Sequence, residues 1–364
     1  DVHRKVSTGF LVPPETGTYR VGLAGSGGTL TLDGKLISDR RQSRWNDLPG
    51  MTTLSLEGGH RYPFTVDGEG VDLVWKRVSK TPSDDLKRAA ASADILVAVV
   101  GLTSDLEAEE TGVTVPGFKG GDKTTLDLPA DQLALLREAK ATGKPIVLIA
   151  MNGSPINLSW PRDNAAAIVE AWYPGQEGGT AIANVLTGKT NPAGRLPLTF
   201  YKSVDDLPPF GDYAMKGRTY RYFTGTPVYS FGYGLSYTSF AYGPLTVTPA
   251  AGGAQQGVRV TTTLTNSGKR DGEEVAQLYL AFPDHPGVPN IALRGFQRVS
   301  LGAGESKTIA FDLSPRDLSA VDPDGVRSVM TGRYTVTVGS GQPETGVAGQ
   351  SANFKITQSV ELPK

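Results

Sequence analysis

The sequence predicts a multidomain chain in which an α/β/α sandwich with a mostly parallel sheet is flanked by two all-β parts. Three observations carry this reading. Residues 1–79 and 243–364 show short alternating apolar and polar runs punctuated by turn residues, the period of half-buried strands. Residues 80–242 alternate apolar strands with helical segments, which calls for parallel strands with helices on both faces. The chain of 364 residues holds 45 Gly and 25 Pro, above average usage, as many turns and short strands require.

In the first part, strands are expected at 9–12 and 18–23, separated by the turn cluster Pro13-Pro14-Glu15-Thr16-Gly17. The run 29–32 meets Asp33-Gly34, a dipeptide that accepts the positive φ values of a tight hairpin. A second hairpin is expected around Glu57-Gly58-Gly59-His60, followed by strands at 62–66 and 71–75. The residues read as β throughout, with no helical periodicity.

In the middle part, Ser83 is the expected N-cap of a helix over 84–92, with Asp84 and Asp85 near the positive end of its dipole. The run Ile95-Leu96-Val97-Ala98-Val99-Val100 reads as a strand buried on both faces. A long polar loop follows, then a helix over 131–142 closed by Gly143, strands at 146–150 and 166–171, and a small-residue helix over 178–186. Strands return at 257–265, stopping at Asn266-Ser267-Gly268, and at 276–280, 306–313 and 333–338. That pattern suits an immunoglobulin-like or fibronectin type III-like sandwich, and the absence of any Cys favours the fibronectin variety.

Composition excludes several classes of function. Net charge is 36 − 37 = −1 with no long run of like charge, which argues against a nucleic-acid surface or a polybasic membrane patch. Three dispersed histidines (His3, His60, His285) and no cysteine leave few ligands for a zinc or iron–sulfur centre. Disulfides are excluded, which by itself does not fix a compartment. The longest apolar run, 95–100, is far short of the ~20 residues of a membrane span. Asp1 opens with neither Met nor a signal segment, so the chain reads as a piece of something longer.

Three segments could carry chemistry. Glu107, Glu109 and Glu110 fall within four residues, on a loop that leaves the strand at 95–100 and runs to Gly120-Gly121-Asp122-Lys123. In parallel sheets sites gather at the carboxyl ends of strands, and crowded carboxylates raise one another's pKa, as a general acid needs. A solvated acidic loop is the other reading. Second, glycines in Trp172-Tyr173-Pro174-Gly175-Gln176-Glu177-Gly178-Gly179 could cradle a phosphate, but no nucleotide fingerprint is present and a tight helix–sheet turn fits better. Ser154, in Asn152-Gly153-Ser154-Pro155, lacks the second glycine of a nucleophile elbow and any histidine within 80–242 to activate it. Third, Tyr220, Tyr222, Phe223, Tyr229, Phe231, Tyr233, Tyr237 and Phe240 form an aromatic run, either a sugar-stacking platform or a packed junction between domains.

The motifs occur in a recognisable order. Trp172 to Gly179, Asn191-Pro192-Ala193-Gly194-Arg195-Leu196-Pro197 and Phe231-Gly232-Tyr233-Gly234-Leu235-Ser236-Tyr237 together resemble the second half of glycoside hydrolase family 3, the β-glucosidase and β-xylosidase family. Gly272-Glu273-Glu274-Val275-Ala276-Gln277-Leu278-Tyr279 and Leu293-Arg294-Gly295-Phe296 look like that family's fibronectin type III-like domain. Pro14-Glu15-Thr16-Gly17-Thr18-Tyr19 and Leu32-Asp33-Gly34-Lys35 are similar to a protective-antigen-type β domain, inserted into the α/β domain of some members. The resemblance implies domains at 1–79 (partial protective-antigen-type), 80–242 (α/β sandwich) and 243–364 (fibronectin type III-like).

It also implies a retaining exo-acting β-glycosidase that needs no cofactor and no metal. One carboxylate attacks the anomeric carbon; another protonates the leaving oxygen and then activates water. In this family the nucleophile is an Asp on an N-terminal TIM-like barrel and the acid/base Glu comes from the loop matching 107–122 here. Glu109 is the expected acid/base, with Glu110 and Glu107 as alternatives, because the family's closely spaced Glu, Gly and Asp-Arg are here parted by residues 111–121 and end in Asp122-Lys123. Asp122, Lys123 and Phe118 are expected on the leaving-group side of the substrate, Phe118 either as a stacking platform or as a loop-anchoring hydrophobe. A barrel takes ~250 residues, so the nucleophile is expected outside this chain, on a barrel of the same precursor or of a separate chain. Expected substrates are β-linked oligosaccharides or aryl glycosides, and the expected compartment is periplasmic or secreted. A non-catalytic carbohydrate-binding or assembly fragment is the alternative.

Overall fold

Seven strands open the chain: β1 (Val6–Leu11), β2 (Gly17–Gly25), β3 (Thr29–Leu32), β4 (Lys35–Asp39), β5 (Gly50–Leu56), β6 (Tyr62–Asp67) and β7 (Val71–Val78). In this computed structural model residues 5–25, 27–42, 50–78, 82–103, 106–107 and 115–363 are described. Asp33 and Gly34 take φ of 50° and 74°, which closes the expected hairpin between β3 and β4. The strands form two antiparallel sheets, β1-β6-β3-β4 and β5-β2-β7, that bury Tyr19, Val21, Leu23, Leu30, Leu32 and Val66 in one core. The hairpin expected at residues 57–60 does not form. β5 pairs with β2, and β6 with β1 and β3, so this turn carries the chain from one sheet to the other. Gly58 permits the crossing, since a Cβ there would lie 2.7 Å from Glu15 Cα.

The alternating region follows with α1 (Pro82–Ala91), β8 (Leu96–Gly101), β9 (Phe118–Lys119), β10 (Asp122–Lys123), α2 (Ala130–Ala141), β11 (Ile146–Met151), α3 (Ser159–Asn164) and β12 (Ala167–Glu170). Helix α1 starts one residue before Ser83, so Ser83 is no N-cap; its hydroxyl donates to Glu138 of α2 at 2.7 Å. Helix α2 ends as expected, with Gly143 at φ 78°. β8, β11 and β12 form a parallel sheet in the order β12-β11-β8. The central strand β11 is the best buried, with Ile146, Leu148, Ile149 and Ala150 enclosed. β8 lies at the edge of this three-stranded sheet, and Val97 and Val99 are 54% and 61% exposed, so the expectation of burial on both faces fails for it. Within the long polar loop, β9 and β10 pair as a small hairpin.

These elements belong to a compact unit spanning Asp1–Tyr173; a second spans Pro174–Lys364. The second contains α4 (Gly178–Leu186), α5 (Thr219–Tyr222), β13 (Phe240–Tyr242), β14 (Thr246–Pro249), β15 (Val258–Asn266), β16 (Gly272–Ala281), β17 (Ile291–Leu301), β18 (Ser306–Leu313), α6 (Pro315–Leu318), β19 (Ala320–Val321), β20 (Arg327–Val329), β21 (Gly332–Gly339), β22 (Gly349–Ile356) and β23 (Val360–Glu361). β15 carries β13 and β14 on one edge and β18 on the other, while a second sheet runs β17-β16-β21-β22. The sheets share a core built on Val260, Leu264, Leu278, Leu280, Tyr334, Val336 and Val338, the sandwich that period-two patterning implies. The aromatic run resolves into packing: Tyr220 stacks on Phe231 with centroids 4.2 Å apart and meets Tyr279 of β16 edge-on, while Tyr229 stacks on Tyr233.

Candidate functional site

The parallel sheet ends β8, β11 and β12 side by side, and each carboxyl end sends a loop to the same place. At the end of β8, Gly101 takes φ 142°, and a Cβ there would lie 1.8 Å from Met151 O, so only glycine fits. The side-chain amide of Gln132, from α2, accepts from Gly101 N–H and donates to Gly101 C=O, both at 2.8 Å. It supplies the edge strand with the partner a further strand would give. Leu102 N–H then reaches Met151 O at 2.8 Å, and the N–H groups of Leu106 and Glu107 both turn back to Thr103 O.

This turn delivers Glu107 to the loops that follow the other two strands. Its carboxylate accepts from Tyr173 Oη–H at 2.6 Å, from Gly153 N–H at 3.2 Å and from the Ser154 hydroxyl. Gly153 admits the contact by lacking a side chain: a Cβ would lie 2.6 Å from the Tyr173 ring and 3.1 Å from Glu107 Oε2. Lys123 Nζ stands 3.9 Å from Glu107 and donates to Pro155 O at 2.6 Å. Burial pushes the Lys123 ammonium below its ordinary pKa, and the Glu107 carboxylate opposes that shift. With both oxygens engaged by fixed donors, Glu107 is a rigid anion at the root of the loop that continues to Glu109.

Two further polar groups stand at the ends of the neighbouring strands. Glu170 is the last residue of β12, and burial raises its carboxyl to about 7, while Trp172 N–H and the Asn152 amide act in the opposite direction. Neither carboxyl oxygen has a hydrogen bond of normal geometry, and Asn152 Oδ1 has none either. Trp172 follows at φ 55°, an uncommon conformation for a bulky residue.

The structure thus brings together two residues expected from the sequence, Glu107 and Lys123. Asp122 is exposed on the β9–β10 hairpin, with its Cα opposite Lys119. Phe118 is buried on the β9–β10 hairpin. Glu109 and Glu110 lie outside the described residues. Ser154, rejected as a nucleophile, enters as a donor to Glu107. Sequence reasoning missed Tyr173, Gln132, Glu170 and Asn152. Three of these follow or end a parallel strand, so applying the strand-end rule to every strand of the sheet would have found them. No group of three or more His, Cys, Asp or Glu that could hold a metal occurs among the described residues, and no described helix is long and apolar enough to cross a membrane.

Comparison with known proteins shows what the chain is similar to. The glycosyl hydrolase family 3 C-terminal domain matches residues 13–237, and the fibronectin type III-like domain matches residues 274–342. The chain is 37% identical over 350 residues to a xylan 1,4-beta-xylosidase of Xylanibacter ruminicola, covering 93% of this chain and 40% of that protein. It is 35% identical over 269 residues to a periplasmic beta-glucosidase of Salmonella typhimurium, covering 70% of this chain and 34% of that one. Among solved structures, a beta-glucosidase from Kluyveromyces marxianus in complex with glucose superposes with a TM-score of 0.79 at 27% identity, over 98% of this chain and 44% of that chain. The chain therefore spans well under half the length of these relatives.

Proposed function

The chain belongs to glycoside hydrolase family 3, and from that premise we propose that it supplies the general acid/base of a retaining, exo-acting β-glycosidase whose nucleophilic Asp stands on a TIM-like barrel outside this chain. The observation that carries the reading is the anchoring of Glu107. It fixes the root of the acidic loop where three parallel strands end, the place where such sheets carry their sites. In this reading Glu109 protonates the departing glycosidic oxygen and then takes a proton from the water that releases the glycosyl-enzyme, ~5–5.5 Å from the nucleophile. Glu107 is the anchor, Glu110 the second candidate for the acid/base, and Asp122 and Lys123 border the leaving group. The substrate is the non-reducing end of a β-linked gluco- or xylo-oligosaccharide, or an aryl glycoside, and the compartment is periplasmic or outside the cell. The working parts are a partial protective-antigen-type domain (1–79), the α/β sandwich domain (80–242) and a fibronectin type III-like domain (243–364).

The test is Glu109→Gln in the complete enzyme. Loss of the general acid lowers kcat/KM for disaccharides, which have poor leaving groups, by ~10²–10⁴-fold. An activated aryl glycoside, whose leaving group needs little protonation, loses far less. Equal loss on both substrates, or loss on neither, overturns the assignment of Glu109.

A further inference from the structure

Two unsatisfied polar groups stand at the strand ends that lead into the Glu107 cradle. Glu170 ends β12, and Asn152 directly follows β11, its neighbour in the sheet. Both carboxyl oxygens of Glu170 and Oδ1 of Asn152 are shut off from water without a hydrogen bond. On the amide, Nδ2 donates one of its two hydrogens to Ser154 O at 3.0 Å, while Oδ1 has no partner. Its oxygen therefore needs a donor. An ionised Glu170 would leave Asn152 Oδ1 without a donor and bury a carboxylate that has no hydrogen bond of normal geometry, an arrangement burial penalises heavily. A carboxylic acid has one proton to give, and giving it to Asn152 Oδ1 satisfies both groups with one bond.

We propose that Glu170 is a positioning residue that works as a neutral acid, donating its O–H to Asn152 Oδ1 and so tying the end of β12 to the end of β11. Both halves of the Glu107 cradle hang from that tie. On one side Asn152 leads into Gly153 and Ser154; on the other Glu170 leads through Trp172, at φ 55°, into Tyr173. A non-glycine residue holds positive φ only where its surroundings over-determine it, and the tie supplies that constraint. The groups around Glu170 leave the proton in place. β11 carries no charged residue, and the charged residues of the packed helix α3, Arg162 and Asp163, pair with each other at 3.1 Å. In the cradle Lys123 and Glu107 face one another.

Burial keeps the acid form to about pH 7, whereas the unfolded chain releases the proton near the ordinary value of 4.5. Stability from this group is therefore highest below the unfolded value, falls as pH rises through the window between the two, and is level above the folded value. Glu170→Gln places an N–H donor where the acid O–H stands and removes the titration. Chemical denaturation of this chain and its Glu170→Gln variant at pH 5 and pH 8 is the first measurement. The folding constants should lie within a few-fold of each other at pH 5, and the variant's should exceed the wild type's by on the order of 10²-fold at pH 8. Amide exchange at Gly153, corrected for intrinsic rates, is the second. Its protection should drop between pH 5 and pH 8 in the wild type, hold in Glu170→Gln, and be low at both pH values in Glu170→Leu, which keeps the bulk and removes the donor. A Gln-to-wild-type ratio that is the same at both pH values overturns the neutral acid. Wild-type protection of Gly153 in Glu170→Leu overturns the tie. The inference deepens the acid/base reading and rests on it only for consequences in turnover; neither measurement uses a glycoside, so it fails separately from the Glu109 assignment.

Discussion

At the scale of single residues, the candidate site is built from polar groups that mean little alone. A lone Ser, a lone Tyr and a backbone N–H become a receptor only because Glu107 accepts from all three. Such a shared acceptor makes its donors interdependent. Tyr173→Phe removes one charge-assisted bond from a partly exposed site and should cost about 1 kcal/mol; Ser154→Ala, whose hydroxyl is more enclosed, should cost about 1.5–3 kcal/mol. In the double variant Glu107 keeps only Gly153 N–H and the distant Lys123, and the loop root no longer has one geometry. The two losses should therefore not add, with a coupling of about 0.5–3 kcal/mol in a double-mutant cycle by urea denaturation. Strict additivity would mean that Tyr173 and Ser154 do not share Glu107.

At the scale of elements, the end of β8 shows how an edge strand is terminated. Gly101 is held by the Gln132 amide on one side and by the approach of Met151 O on the other. Gln132→Ala strips both bonds from Gly101 and should cost about 1–3 kcal/mol. Gly101→Ala should cost more than Gln132→Ala, because its Cβ must displace the backbone of β11 in addition to adopting φ 142°. Calorimetric melting of both variants checks the order; a Gly101→Ala chain as stable as wild type would refute the close approach. These elements also mark what the sequence could and could not reveal. The run at 95–100 is legible as a strand because its residues are apolar and largely β-branched, but what covers its face is not written in it. The turn at 57–60 has hairpin chemistry, yet its strands pair elsewhere, because β2 offers its edges to β5 and β7 while β6 fits between β1 and β3. β17, the longest strand, escaped notice because Gly295, Arg294 and Arg298 interrupt its alternation. The acidic loop was legible from charge crowding and place. Its cradle was not, since Ser154 and Tyr173 stand 47 and 66 residues from Glu107 and only the parallel order of the strands joins them.

At the scale of the whole molecule, sequence motifs that look functional turn out to hold the second unit together. The stretches 191–197, 231–237 and 272–279 converge on one buried ion pair, Arg195 to Glu274, at 2.8 Å with side chains 7% and 2% exposed. Arg195 also donates to Ser340 O and Gly194 O, and Gln277 Nε2 donates to Gly232 O and Ser340 O. Gly232, at φ 78°, leaves room for that amide, since a Cβ would lie 2.2 Å from Gln277 Oε1. Burial raises the Glu274 carboxyl pKa, and the Arg195 guanidinium opposes the rise by favouring the charged form. Removing one partner leaves the other charge buried alone, so Arg195→Met should destabilise the chain by about 3–5 kcal/mol at neutral pH. The pH dependence separates this from simple loss of packing. Without the guanidinium, Glu274 is pushed further up from its ordinary value, so the folded variant holds a proton that the unfolded chain gives up. The deficit should therefore shrink as pH falls towards 4, where Glu274 takes up its proton in both states and no lone charge is buried. Arg195→Met combined with Glu274→Leu removes both charges and should recover much of the loss at neutral pH, with a residue left for the carbonyls of Ser340 and Gly194. Denaturation of the wild type and the two variants at pH 4 and pH 7 decides the matter. A single-variant deficit equal at both pH values would assign the cost to packing and remove the ion pair from its place at the centre of these motifs.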